Sequence, residues 1–173
     1  MTVVLERNDP AAAAELFDQL PTTEPRGHEQ RVSIEVQRIP ERRGLFRRPV
    51  PVSSASISRV FPDSDPHPSF LLQASNLEWQ MSGTFDPFGF GDALARHLSA
   101  RGVNTPDGWS LGWAFNSEVH WVIPYDEDPV RVIEHALTVL ETIYEASPQT
   151  FEARVERGGR YDGRTATPAY MPG

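Results

Sequence analysis

Apolar and polar positions alternate from Arg31 to Ile39, with Val32, Ile34 and Val36 set against Arg31, Ser33, Glu35 and Gln37, the period of a half-buried strand. A second such run, Ser54 to Phe61, puts Ala55, Ile57 and Phe61 on one face, and a third passes through Phe70, Leu72 and Ala74. The third pattern continues beyond Ser75-Asn76 through Leu77, Trp79 and Met81, as one long bulged strand or as two short ones. Helical spacing appears behind each of Asp9-Pro10, Asp86-Pro87 and Asp128-Pro129, where Asp suits the N-cap and Pro the first helical position. Ala13, Leu16, Phe17 and Leu20 make one apolar face; Phe90, Ala93, Leu94 and Leu98 make the next, ending near Gly102. The clearest helix, Val130 to Ala146, carries Val130, Ile133, Ala136, Leu137, Leu140, Ile143 and Tyr144 as a stripe and stops at Pro148.

Gly108 to Tyr125 holds three of the four tryptophans and reads as a β-hairpin turning at Asn116-Ser117. That turn sets Trp113 opposite His120, Phe115 opposite Glu118 and Leu111 opposite Val122. One face then carries Trp109, Leu111, Trp113, Phe115 and Val122 with Glu118 and His120; the other carries Ser110, Gly112 and Ala114 beside Val119, Trp121 and Ile123. Neither face is plainly polar, so the hairpin is expected to be covered on both sides, by helices on one and by another chain or a peptide on the other.

Together these elements predict an α+β fold, one antiparallel sheet of about five strands packed with three helices in the order α-β-β-β-α-β-β-α. Phe151, Ala153 and Val155 alternate with charge and form an optional last strand. The expected organisation is an N-terminal extension over 1–8, a single domain over 9–157 and a flexible C-terminal tail over 158–173. Between the first two strands, residues 40–51 are too proline-rich for a central strand and read as an exposed loop.

The chain of 173 residues has a net charge of −8, and all 16 of its basic residues are arginine. That field disfavours general nucleic-acid binding. Without cysteine there is no disulfide framework, thiolate metal site or cysteine nucleophile. The start has only a short apolar run and no window approaches the roughly 20 apolar residues of a membrane helix, so a soluble cytoplasmic protein without a membrane span is expected.

The element order over about 9–146 resembles the type III secretion chaperone fold (CesT-type) and the related YbjN-like proteins. The stretch Trp113 to Pro124, the acidic Asp126-Glu127-Asp128-Pro129 and the helix Val130 to Ala146 look like YbjN-related peptide-binding chaperone domains of actinobacteria, bacterial proteins. The resemblance implies a small acidic protein, often a homodimer, that binds an extended segment of a partner on apolar surfaces and catalyses nothing. It carries over no functional residue, and the arginine-rich loop and the tail depart from it.

Gly108-Trp109-Ser110-Leu111-Gly112 matches the G-x-S-x-G nucleophile elbow, which requires a helix after the serine, whereas strand-like residues follow Ser110 here. Glu118, His120 and Asp126 to Asp128 match no metal-ligand spacing; Asp128 is explained as a helix cap. Gly89-Phe90-Gly91 lacks the remainder of a dinucleotide fingerprint. No cofactor and no enzymatic activity are expected. Arg42, Arg43, Arg47 and Arg48 with Phe46 form the basic cluster of the exposed loop, which reads as a solvated loop or as a dock for an acidic partner or a phosphate-bearing ligand. The expected function is therefore a protein- or peptide-binding module, chaperone- or adaptor-like, contacting its partner through Trp109, Trp113, Phe115, His120 and Trp121 and through that loop. The alternative is an accessory structural subunit of a larger assembly, docked by residues 40–51 and the tail.

Overall fold

The computed structural model describes residues 2–6, 10–11, 15–20, 28–38, 50–60, 69–82, 91–144 and 150–160. Arg42, Arg43, Phe46, Arg47 and Arg48, the expected helix start at Asp86-Pro87 and the tail from 161 lie outside them. The described strands are β1 (Thr2–Glu6), β2 (His28–Arg38), β3 (Val50–Val60), β4 (Ser69–Asn76), β5 (Ser110–Ala114), β6 (Glu118–Ile123) and β7 (Thr150–Arg160). A 3-10 helix spans Glu15–Gln19, and the α-helices are α1 (Leu77–Ser82), α2 (Ala93–Ser99) and α3 (Pro129–Tyr144).

All seven strands join one antiparallel sheet in the order β1-β7-β2-β3-β4-β6-β5. The α+β class and the single antiparallel sheet agree with the sequence pattern. The five expected strands are present, and β7 and β1 extend the sheet beyond β2. Residues 2–6, expected as an extension, are thus an edge strand, and β7 runs past 157 to Arg160. β3 also begins earlier than expected, because Pro51 sits where the β2–β3 register shifts beside Gln37 and where β4, paired only from Ser53 onward, asks no donor of it.

Past Asn76 the chain is helical, not the strand that Leu77, Trp79 and Met81 suggested. The Asn76 side-chain oxygen accepts the Trp79 backbone N–H at 3.0 Å, an N-cap bond that starts α1. Asp128 does the same for α3, accepting the Val130 N–H at 2.9 Å. α2 starts at Ala93, with Gly91 and Asp92 non-helical before it; the Gly91 backbone lies so close to the Asn116 side chain that a Cβ there would collide with it. Leu94 N–H then donates to the Asn116 carbonyl and Asn76 N–H to the Ser117 carbonyl, which pins the hairpin turn between α1 and α2.

The core lies on one face of the sheet. Val32, Ala55, Ile57, Phe70, Leu72, Ala74, Val119, Trp121 and Ile123 meet Val132, Ile133, Ala136, Leu137, Val139, Leu140 and Ile143 of α3 there. The α3 stripe is wider than expected, since Val132 and Val139 are also buried. Leu94 and Leu98 of α2 and Leu16, Phe17 and Leu20 around the 3-10 helix close the ends, with Phe17 edge-on to Phe70 at 5.3 Å. No helix among the described residues is long and apolar enough to cross a membrane.

Candidate binding groove beside the edge strand

β5 and β6 pair through the Asn116-Ser117 turn as the sequence suggests: Phe115 N–H donates to the Glu118 carbonyl at 2.8 Å, and Trp113 faces His120. The register then shifts, so that Leu111 faces Trp121 and Ser110 faces Val122, leaving Gly112 as the extra residue of a β-bulge. Period-two counting had placed Leu111 with Trp113. The bulge instead carries Leu111 onto the face of Val119 and Trp121, where the helices pack. Trp109 also lies on that side, its ring 5.1 Å from His135 of α3. A glycine inside a strand was the available signal for this shift.

Between α2 and the hairpin is a groove of about 270 Å³. Ala95 and Leu98 of α2, Val103, Leu111, Val119 and Trp121 supply its apolar wall, and Ser99, Asn104 and Thr105 supply polar rim groups. Its remaining lining residue, Arg96, is exposed and paired with Asp92 at 2.9 Å. The α2 end builds one side: Gly102 N–H donates to the Ser99 carbonyl and Val103 N–H to the Leu98 carbonyl, the bond pair of a Schellman closure, which brings Val103 back against Leu98. Gly102 has φ 82°, a left-handed conformation. Gly102→Ala is expected to cost about 1 kcal/mol through backbone strain, although a Cβ there would meet nothing. Urea denaturation measures it, and an unchanged midpoint would contradict it.

Behind the groove, the loop before β5 is tied to the core side. Trp121 donates its Nε1–H to Thr105 Oγ1 at 3.2 Å; Trp109 donates its own to Glu127 Oε2 at 2.6 Å. Arg131 also donates to Glu127 Oε2, at 2.6 Å, and to the Asp107 carbonyl at 3.3 Å, with its guanidinium 6.0 Å from the Trp109 ring centre. His135 sits edge-on to both tryptophans, at 5.1 Å and 5.2 Å, and its Nε2 is buried with no hydrogen-bond partner among the described residues. Burial, reinforced by Arg131, pulls the His135 pKa from 6.5 down to about 4. The imidazole is therefore neutral at pH 7.

The opposite face of the hairpin is mixed, with Glu118 and His120 beside Trp113, Phe115 and Val122 as the strand period implied, and without the Trp109 and Leu111 expected there. Glu118 Oε2 accepts from Gln73 Nε2 at 3.1 Å and lies 3.2 Å from His120 Nε2, while Oε1 accepts from Gln80 Nε2 at 2.9 Å. Trp113 stacks on His120 with ring centres 4.3 Å apart, and Phe115 meets the imidazole edge-on at 6.1 Å. Gln73 and Gln80 come from β4 and α1, remote in sequence from the hairpin, which is why sequence patterning could not assemble this cluster.

Of the expected contact residues, Trp109, His120 and Trp121 are buried, Trp113 and Phe115 are half-buried, and only Trp121 lines the groove. Leu98, Val103, Thr105 and Leu111 join it without having been among the expected contact residues. Ser110 opens β5 and is exposed; strand, not helix, follows it, so the elbow geometry is absent. Among the described residues no group of three or more His, Asp and Glu side chains could hold a metal ion. Compared with family models, curated proteins and solved structures, the chain finds no match.

Proposed function

We propose that this protein binds an extended segment of a partner polypeptide along β5, seating one apolar side chain of that segment in the groove under α2, and that it catalyses nothing. The observation that carries the reading is where exposed apolar surface collects. Among the described residues the exposed large apolar side chains are Leu111 (51%), Val122 (37%) and Tyr125 (52%), all in or beside the β5–β6 hairpin. β5 is the last strand of the sheet, and Ser110, Leu111 and Gly112 are exposed.

An edge strand leaves backbone N–H and C=O groups unpaired, and an added strand satisfies them while sending alternate side chains to opposite faces. Here one face offers the groove and Leu111, and the other offers Trp113 and Val122. The bulge and the short length of β5 limit the pairing to a brief segment. Discrimination among partners then falls to the groove. This reading agrees in kind with the YbjN-like and type III secretion chaperone resemblance, in which an extended partner segment is held on apolar surface in a chaperone- or adaptor-like role in the cytoplasm.

Fluorescence anisotropy with a labelled, N-acetylated peptide of alternating threonines around a central leucine tests the proposal. Saturable binding is expected, weakened about tenfold or more by Leu111→Asp, a change at an exposed side chain that spares the core. A Leu111→Asp variant that binds as tightly as the unaltered protein would remove the groove from the account.

A further inference from the structure

Where β5 starts and β6 finishes, Arg131 bridges the Asp107 carbonyl and the Glu127 carboxylate, and Asp126 and Asp128 flank Glu127 in sequence. Asp107 lies three residues before Ser110, and Asp126, Glu127 and Asp128 follow Ile123 in the turn that leads into α3. Three of these acids have different duties. Glu127 holds Trp109 and Arg131. Asp128 caps α3 through its Oδ1. Asp107 contributes only its backbone carbonyl, to Arg131. The side chains of Asp107 and Asp126 are exposed and make no hydrogen bond or ion pair among the described residues. Arg131 is already committed to Glu127, so it offers these two acids little compensation. The groove's one charged side chain, Arg96, is paired with Asp92.

Resting on the groove reading above, we propose that the segment it receives is basic: an apolar residue fills the groove and an arginine or lysine beyond it lies against Asp107 and Asp126. Charge complementarity selects this occupant. The chain as a whole is at −8, so an acidic segment or a second copy of the protein meets repulsion, while a basic segment is steered toward the β5 edge. Both carboxylates stand in water, so the contribution acts through long-range attraction and is screened by salt. The apolar seat, in contrast, keeps its contribution at high salt.

The test compares two labelled peptides with the same central leucine, one carrying arginine and the other glutamate beyond it, titrated into the full chain at low salt and at about 1 M salt, where the Debye length is about 3 Å. The arginine peptide is expected to bind about tenfold tighter at low salt, with the two converging at high salt. Asp107→Asn with Asp126→Asn is expected to erase the preference and leave the leucine-dependent binding in place. Equal binding of the two peptides at low salt overturns the basic-partner proposal and leaves the groove reading standing. Binding of neither peptide overturns both. A dimer in sedimentation that is dissolved by Leu111→Asp would show the β5 edge taken by a second copy, and overturns this proposal too.

Discussion

Truncating Trp121 to alanine is expected to destabilise the protein by about 3–5 kcal/mol, measured by urea denaturation, whereas Trp113→Ala is expected to cost about 1–2 kcal/mol. The two residues stand in neighbouring strands of one hairpin, and their surroundings set the difference. Trp121 is 2% exposed, packs into the α3 core, bonds Thr105 and supports His135 from the sheet side. Removing it leaves a cavity under the groove and takes away one groove wall. Trp113 is half-buried on the opposite face, where its ring lies against His120. Equal losses for the two substitutions would mean that the groove side of the hairpin is no better packed than the other.

Acid is expected to cost stability through His135. A histidine whose folded pKa is about 4 and whose unfolded value is 6.5 binds more protons when unfolded throughout that interval. Its contribution is therefore complete above about pH 6.5, declines as pH falls, and is gone below about 4. The shift corresponds to about 2–3 kcal/mol once partial solvent access is discounted. His135→Phe keeps an aromatic ring between Trp109 and Trp121 and removes the titration. Subtracting its pH-stability curve from that of the unaltered protein cancels the carboxylates common to both. The difference should change by that amount between pH 7 and pH 4, and parallel curves would show that burial does not hold the imidazole neutral. Tryptophan fluorescence gives a local readout, because the ring that gains the charge touches two indoles.

Much of the fold could be read in advance because it rests on local periodicity. Val32, Ile57, Leu72 and Ala74 are buried where alternation placed them, and α3 begins at the Asp128 cap and buries the stripe that its spacing announced. The failures have local causes as well. Leu77, Trp79 and Met81 fit a strand by period, but the Asn76 cap offered the backbone a helical start. The helix expected to run on from Asp86-Pro87, which lies outside the described residues, is interrupted at Gly91 and Asp92, and α2 begins at Ala93.

The candidate site was less legible. Aromatic content drew attention to the hairpin, which supplies part of the groove wall, but most of the groove is made by side chains that are ordinary in sequence. Val103 reaches it because Gly102 can adopt a positive φ, and Leu111 reaches it because Gly112 adds a residue to the strand. A one-residue shift moves side chains from one face of a sheet to the other. Counting by twos cannot detect that shift without knowing the partner strand.

The sequence by itself determined the α+β class, the antiparallel hairpin and its turn, the capped helix α3 and the acidic run that leads into it, because each depends on neighbours a few positions apart or on charge alone. The tertiary structure decided which face of the hairpin meets the helices. It also decided that the other face gathers Gln73 and Gln80 around Glu118 and His120, and that an edge strand borders an open groove. Those outcomes depend on register and on contacts between residues tens of positions apart, and neither is encoded in the period of any single segment.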